Sequence, residues 1–292
     1  MHAFTIRDLE NLSGIKAHTI RIWEQRYSLL NPQRTDTNIR YYSNAELQKV
    51  LNIALLNKYG FKISRIDKMS PEVIKEKILS LSQVQAQQER LVNELIGCMA
   101  EMDMDAFEEK IDDYVASKGI EKAIIQIIFP FLERIGILWL TNHINPGQEH
   151  LVTNVIRQKL IVGIDSVRVK QDQENSVLLF LPEGEHHEMG LLFTCFLLKS
   201  RGIKVIYVGA NIPLKDIESI ARHVKPAFLY SHLTSVGNNF NLEKFLIQVH
   251  NKMPDQQFIV SGALIQQYKK RVPANVSLKK SLAEVKEYIS CL

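Results

Sequence analysis

Leu181-Pro182-Glu183-Gly184-Glu185-His186-His187-Glu188-Met189-Gly190 joins two apolar runs. Residues 177–181 read as a buried strand and 189–198 as an apolar helix, so the histidines fall on a loop at the carboxyl end of a strand. Open α/β sheets bind ligands at that end. Glu185, His187 and Gly190 fit the spacing acidic-x-His-x-x-Gly. There an imidazole can ligate a metal while the carboxylate holds its other ring nitrogen, which fixes the tautomer and raises the basicity of the ligand. Gly190 would let the helix backbone approach a large flat ligand. His186 is an alternative ligand, but Met189 rather than Gly stands three residues beyond it, so the spacing favours His187.

Working outward, residues 204–208, 227–230 and 257–260 are strand-like, with a weaker run near Val276; residues 214–223, opened by Pro213, and 242–251 are helical. That alternation predicts a parallel, doubly wound sheet. Ser231-His232-Leu233 follows one strand and Val260-Ser261-Gly262-Ala263 ends another, each at the same end as His187. Together these residues resemble the signature of the cobalamin-binding domain shared by methionine synthase, several mutases and corrinoid proteins: acidic-x-His-x-x-Gly, Ser-x-Leu and a Gly-Gly pair. The resemblance implies a flavodoxin-like, Rossmann-like fold, cobalt held through His187 with Glu185 behind it, and a cofactor lying against Gly190, Ser231, Leu233, Ser261 and Gly262. Ser261 stands where the family has its first Gly. No Gly-Lys-Ser/Thr phosphate loop, Gly-x-Ser-x-Gly elbow or paired-Cys metal site occurs, so the expectation is a ligand-binding domain and not an enzyme.

The chain has 292 residues, room for two or three domains. It is 46% hydrophobic and 23% charged, with no apolar run of the ~20 residues that a membrane span needs. The opening residues lack a signal layout, and Cys98, Cys195 and Cys291 are scattered and odd in number, which suits a reducing cytoplasm. The net charge of +4 is uneven: residues 1–70 carry eleven Lys and Arg against six Asp and Glu, a net +5, and the rest of the chain sums to −1. The basic excess belongs to the N-terminal segment.

In that segment Thr5 is placed to cap a helix over 6–12, Ser13-Gly14 makes a turn, and a second helix over 17–27 has Ile20 and Trp23 spaced to face a core. This is a helix-turn-helix whose second helix presents His18, Thr19 and Arg21 on other faces, where a DNA groove and its phosphates can be reached. Residues 33–42 alternate polar, basic and β-forming types as a wing would, with Arg34, Arg40 and Tyr41 on it, and a further amphipathic helix over 45–59 ends at Gly60. The string Thr19-Ile20-Arg21-Ile22-Trp23-Glu24-Gln25-Arg26-Tyr27, followed by Pro32-Gln33-Arg34 and Ile39-Arg40-Tyr41-Tyr42, resembles the MerR-type winged helix-turn-helix over residues 3–70. The resemblance implies binding of double-stranded promoter DNA, with Arg21, Arg34, Arg40 and Tyr41 on the backbone and His18 and Thr19 near base edges. Phosphate contacts supply affinity and groove contacts supply sequence preference.

From residue 71 to 88 the chain is helical in tendency, and residues 80–88 have too few large apolar side chains to build a core, so the stretch reads as a linker. Residues 89–172 give helical patterns over 91–99, 105–117, 120–139 and 148–169, the content of a four-helix bundle, and 173–292 form the α/β domain. In the bundle Trp139 is followed, after nine intervening residues, by Glu149-His150. Alone this is a core tryptophan and a polar helix start. With the other two modules it resembles the CarH/LitR class of light-sensing repressors over nearly the whole chain. The resemblance implies that the bundle covers the upper face of adenosylcobalamin through Trp139, Glu149 and His150, that subunits pair into dimers or tetramers on DNA, and that light releases them. Some members carry a His directly after the Trp; here that residue is Leu140, and His143 does not match the place. The alternatives are a MerR-type regulator whose C-terminal domain senses another chromophore or a protein partner, and a corrinoid enzyme subunit, for which the basic head has no use.

Overall fold

The computed structural model describes residues 4–27, 29–140, 146–170, 172–236 and 240–292, with the side chains of 137–140 and 172–175 left aside. The chain divides into two compact units, Met1–Ile156 and Arg157–Leu292.

The first unit opens with α1 (Ile6–Ser13), started by a capping box in which Asp8 N donates to Thr5 Oγ1 at 3.3 Å and Thr5 N donates to Asp8 Oδ2 at 2.6 Å. Gly14, at φ 72°, ends it. α2 (Ala17–Tyr27) buries Ile20 and Trp23, as its spacing predicts. β1 (Gln33–Arg34) and β2 (Arg40–Tyr41) pair antiparallel as the wing. α3 (Asn44–Lys58), capped by Ser43, and α4 (Ile63–Ile66) complete the head.

The stretch expected as a linker is instead mostly folded. α5 (Pro71–Leu79) is capped by Ser70, starts with proline, and buries Ile74 and Ile78. Those two isoleucines, four residues apart, are enough to seat a short helix even though the segment as a whole is polar. α6 (Val84–Glu101) likewise begins inside the expected linker. α7 (Met104–Lys118) follows, capped by Asp103, which accepts from Ala106 N at 3.0 Å. α8 (Ile120–Ala123), a π-helical turn over Ile124–Ile128 and α9 (Phe129–Leu140) continue without a break, and α10 (Pro146–Asp165) comes next. Phe107 and Phe131, both fully buried, pack 5.3 Å apart between α7 and α9.

The head is docked on this helical region through α3 and α6. Gln48 Nε2 donates to Asn93 O at 3.1 Å, and Asn44 Nδ2 donates to Ala100 O at 3.1 Å. Gly97 lies under Gln48, where a Cβ would stand 2.3 Å from Nε2, so the glycine permits the close approach.

The unit boundary falls inside α10, not at the end of the helical region near residue 172 that composition suggested. In the second unit, β3 (Asp172–Pro182), α11 (Met189–Ser200), β4 (Ile203–Ile212), α12 (Leu214–Val224), β5 (Phe228–His232), α13 (Leu242–Lys252), β6 (Gln257–Ser261), α14 (Ala263–Gln266), β7 (Val276–Lys279) and α15 (Leu282–Ser290) alternate. The sheet order is β4-β3-β5-β6-β7, with parallel pairing throughout. Residues 177–181 are fully buried because helices cover both faces of such a sheet. Phe180 and Phe258 stack at 5.7 Å in its core. The chain winds from β3 first to β4 on one side and then to β5 on the other, so the strand order reverses between β3 and β5. Ligands of doubly wound sheets sit in the crevice at such a reversal, beyond the carboxyl ends of the strands.

Candidate functional site

The loop leaving β3 at this reversal is built around a buried carboxylate. Glu185 is fully buried, and its Oε1 accepts from His187 N at 2.9 Å and lies 2.6 Å from His187 Nδ1. Its Oε2 accepts from Thr234 N at 2.7 Å and Ser235 N at 2.8 Å, in the segment that follows β5. One side chain therefore ties the two strand ends together across the crevice. Burial pushes the Glu185 carboxyl up, but the bonds from the His187 ring and backbone, Ser235 and Thr234 outweigh it and hold it below the ordinary carboxylate range. Asn211, in the left-handed region at φ 59°, supports the same turn: its Oδ1 accepts from Gly184 N at 2.9 Å and its N donates to Glu185 O at 3.1 Å.

The His187 side chain is 55% exposed. A neutral imidazole that gives its Nδ1–H to Glu185 carries its lone pair on Nε2, the state in which histidine ligates a metal. His186 is exposed as well, but Glu185 grips His187. Among the described residues no group of three or more His, Cys, Asp or Glu could hold a metal ion.

The next residue, Glu188, fixes the other side of the loop. Its Oε1 accepts from the Tyr207 hydroxyl at 3.0 Å and its Oε2 pairs with Arg157 Nη2 at 2.5 Å. Burial, then Glu188, pushes the Tyr207 hydroxyl pKa up. Sequence reasoning missed Arg157, Tyr207, Asn211 and the amides of Thr234 and Ser235, because their partners lie 19 to 50 residues away and no local spacing marks them.

The remaining motif residues serve the scaffold. Ser231 Oγ donates to Phe180 O at 2.8 Å, joining β5 to β3, and Leu233 is a core side chain. Gly262, at φ 107°, is pressed on the backbone of Leu233, where a Cβ would lie 2.2 Å from the carbonyl oxygen. Gly190 faces the His232 ring, and Ser261 Oγ lies 2.8 Å from His232 Nδ1 and 2.6 Å from the Tyr230 hydroxyl.

In the first unit Glu149 is half-buried in the first turn of α10 and His150 is exposed. Trp139 is on α9, but its side chain and that of Leu140 lie outside the described residues, as does His143. On the head, His18 and Arg21 are exposed on α2 and Thr19 is half-buried. Arg34 is exposed and bonds Asn38 Oδ1 at 2.5 Å, and Tyr41 donates to Gln33 Oε1 at 2.6 Å. Arg40 differs: its Nε pairs at 3.1 Å with Glu24, which also accepts from the Tyr42 hydroxyl. Glu24, which the sequence did not single out, thus fastens the wing to α2.

Residues 4–72 match the MerR HTH family regulatory protein, and residues 91–162 match the B12 binding domain. The chain carries a MerR-type helix-turn-helix and a B12-binding domain. The B12-binding match falls on the helical region α6 to α10. The chain is similar to the HTH-type transcriptional repressor CarH of Myxococcus xanthus, 24% identical over 86% of this chain and 85% of that protein. It is also similar to the HTH-type transcriptional repressor CarA of Myxococcus xanthus, 28% identical over 76% of this chain and 73% of that one. In fold it is similar to the monomethylamine corrinoid protein of Methanosarcina barkeri, with a TM-score of 0.55 and 11% identity over 70% of this chain and 100% of that chain. The architecture is therefore multidomain: helix-turn-helix head, helical bundle and a parallel α/β domain. Among the described residues no helix is long and apolar enough to cross a membrane.

Proposed function

We propose that this chain is a transcriptional repressor that grips promoter DNA with its head and senses a cobalamin held in its C-terminal half. The observation that carries the proposal is the Glu185–His187 pair at the strand-order reversal of a corrinoid-protein-like sheet, on the same chain as a MerR-type head. The functional modules are then 1–70 for DNA, 71–88 as the connection, 89–172 over the upper face of the cofactor and 173–292 beneath it.

His187 would hold the cobalt, with Glu185 setting its tautomer, while Gly190, Ser231, Leu233, Ser261 and Gly262 shape the pocket around it. Trp139, Glu149 and His150 would cover the adenosyl group of adenosylcobalamin. That cofactor supplies one property: a cobalt–carbon bond weak enough for visible light to break. The protein converts it to a DNA response if the loaded chain self-associates and the illuminated one does not. A ligand drives such a shift only by interacting differently with the two arrangements. Dimers or tetramers present several heads to one operator, which raises affinity without new contacts. With Leu140 after the tryptophan, no imidazole directly follows Trp139, and the illuminated form is expected to be readily reversed.

On the head, Arg21 and Arg34 act through phosphates, each contributing about one unit to the slope of affinity against salt. Arg40 and Tyr41 support the wing contact, Arg40 contributing less because Glu24 already matches its charge. His18 and Thr19 set sequence preference. The decisive experiment purifies the chain with adenosylcobalamin in the dark, records the visible spectrum, and compares size-exclusion profiles and promoter binding before and after illumination. A His-ligated spectrum, with loss of both assembly and DNA binding in light, is expected. One size in both conditions would remove light-driven disassembly and leave cobalamin-dependent DNA binding.

A further inference from the structure

His232, the last residue of β5, closes a circuit of contacts between the start of α11 and the carboxyl ends of β5 and β6. Its ring lies across Gly190 in the first turn of α11: a Cβ there would stand 2.3 Å from Cδ2, 2.4 Å from Nε2 and 2.6 Å from Cγ. Its Nδ1 lies 2.8 Å from Ser261 Oγ, and Ser261 Oγ lies 2.6 Å from the Tyr230 hydroxyl. Thr194 Oγ1 is 3.1 Å from that hydroxyl and 2.9 Å from Gly190 O. The space between α11 and the ends of β5 and β6, bordered by Gly190 and the hydroxyls of Ser261, Tyr230 and Thr194, is thus filled by an imidazole of the chain itself.

The hold on that ring is light. Among the described residues it makes one hydrogen bond, to a hydroxyl that keeps Tyr230 as a second partner when the ring leaves. Burial pushes the His232 pKa down to about 4, so the ring is neutral and moves without carrying charge. Glu185, by contrast, is locked by four donors.

A cobalt that takes His187 as its lower ligand cannot also hold the heteroaromatic base on the nucleotide arm of cobalamin, so that flat, uncharged base needs another seat. We propose that His232 is a displaceable plug: the imidazole occupies the cleft between Gly190 and Ser261 and swings out when the base of the cofactor's nucleotide arm enters, so that His232 governs how readily a corrinoid with that arm is taken up. This rests on the cobalamin reading above.

The test measures association of adenosylcobalamin and of adenosylcobinamide, the same corrin without the nucleotide arm, by visible absorbance in the dark. In His232→Ala the association rate of adenosylcobalamin should rise about tenfold, the weight of one hydrogen bond to a hydroxyl, while that of adenosylcobinamide stays within about twofold. His232→Asn can keep a bond to Ser261 but not reach Gly190, and should show a smaller gain in the same direction; it also serves if the alanine variant fails to fold. An equal change for both corrinoids, no change, or slower uptake of adenosylcobalamin by the variants overturns the plug and leaves cobalamin binding standing. If the wild type takes up neither corrinoid, the cobalamin reading falls and the plug with it.

Discussion

The two strand ends that meet at the reversal in the sheet use their polar residues in opposite ways. After β3, a buried carboxylate takes four hydrogen bonds so that an exposed imidazole is held in one orientation. At the end of β5, a half-buried imidazole packs against Gly190 and makes one hydrogen bond among the described residues. On the proposed reading the first arrangement presents a ligand group, and the second is filled by the protein's own side chain. The contrast teaches that a motif spacing locates a site without saying whether a given residue touches the ligand, builds the wall or fills the space.

The largest effect that would break this contrast is expected at Glu185. Glu185→Ala leaves the Thr234 and Ser235 amides without their acceptor and frees the His187 loop, at a cost on the order of 4 kcal/mol in urea unfolding. Glu185→Gln, which keeps the volume and one acceptor oxygen, should lose about half of that. A loss below about 1 kcal/mol for the alanine variant would mean that the loop is held by other contacts.

The two glycines separate the wall from the plug. At Gly262 a Cβ would meet Leu233 backbone 2.2 Å away, and φ is 107°, so Gly262→Ala should cost about 3 kcal/mol with no side chain able to yield. Gly190→Ala meets the His232 ring instead. Its cost should be about 1 kcal/mol and should vanish in Gly190→Ala/His232→Ala, a non-additivity that thermal melting of the four proteins would reveal.

Acid sharpens the same point. The His232 pKa is lowered from 6.5 to about 4, first by burial, with the Glu185 charge opposing. Between those values the unfolded chain binds the proton and the folded chain does not, so stability present above about pH 6.5 is lost as pH falls towards 4. The loss is on the order of 3 kcal/mol over that window. His232→Gln should flatten the stability profile between pH 6.5 and 4.5; an unchanged slope would assign it to other groups. Glu185, with its lowered pKa, adds loss in the same direction at still lower pH.

Much of the fold was legible because burial leaves periodic traces. Residues 177–181 formed the expected core strand, Ile20 and Trp23 the expected buried face, and the alternation of strand and helix the parallel sheet. The meeting of Glu185 with His187 was also legible, since it spans two residues. What spacing could not disclose is contact at long range: Gly262 against the Leu233 backbone, Ser231 on Phe180 O, and the His232 ring on Gly190. The helical tendency of 71–88 is met in α5, and what the linker reading missed is its packing, because two isoleucines a turn apart suffice to seat a short helix.

The smallest effect on stability should come from the residue with the largest effect on binding. His187→Ala removes an imidazole that is 55% exposed, and Glu185 still accepts from the backbone amides of residue 187, Thr234 and Ser235. A partly solvated contact of this kind contributes little, so the unfolding free energy should stay within about 1 kcal/mol of wild type. Cobalamin retention should nevertheless fall by two orders of magnitude or more, since even residues that only support a metal ligand are worth about 10- to 100-fold. His186→Ala, carrying an exposed neighbour that Glu185 does not hold, should bind as wild type and keep its spectrum. Dialysis of both loaded variants in the dark, followed by absorbance, distinguishes them. Equal retention by His187→Ala would move the cobalt ligand elsewhere and leave Glu185 as a purely structural tie between β3 and β5, erasing the difference between the two strand ends.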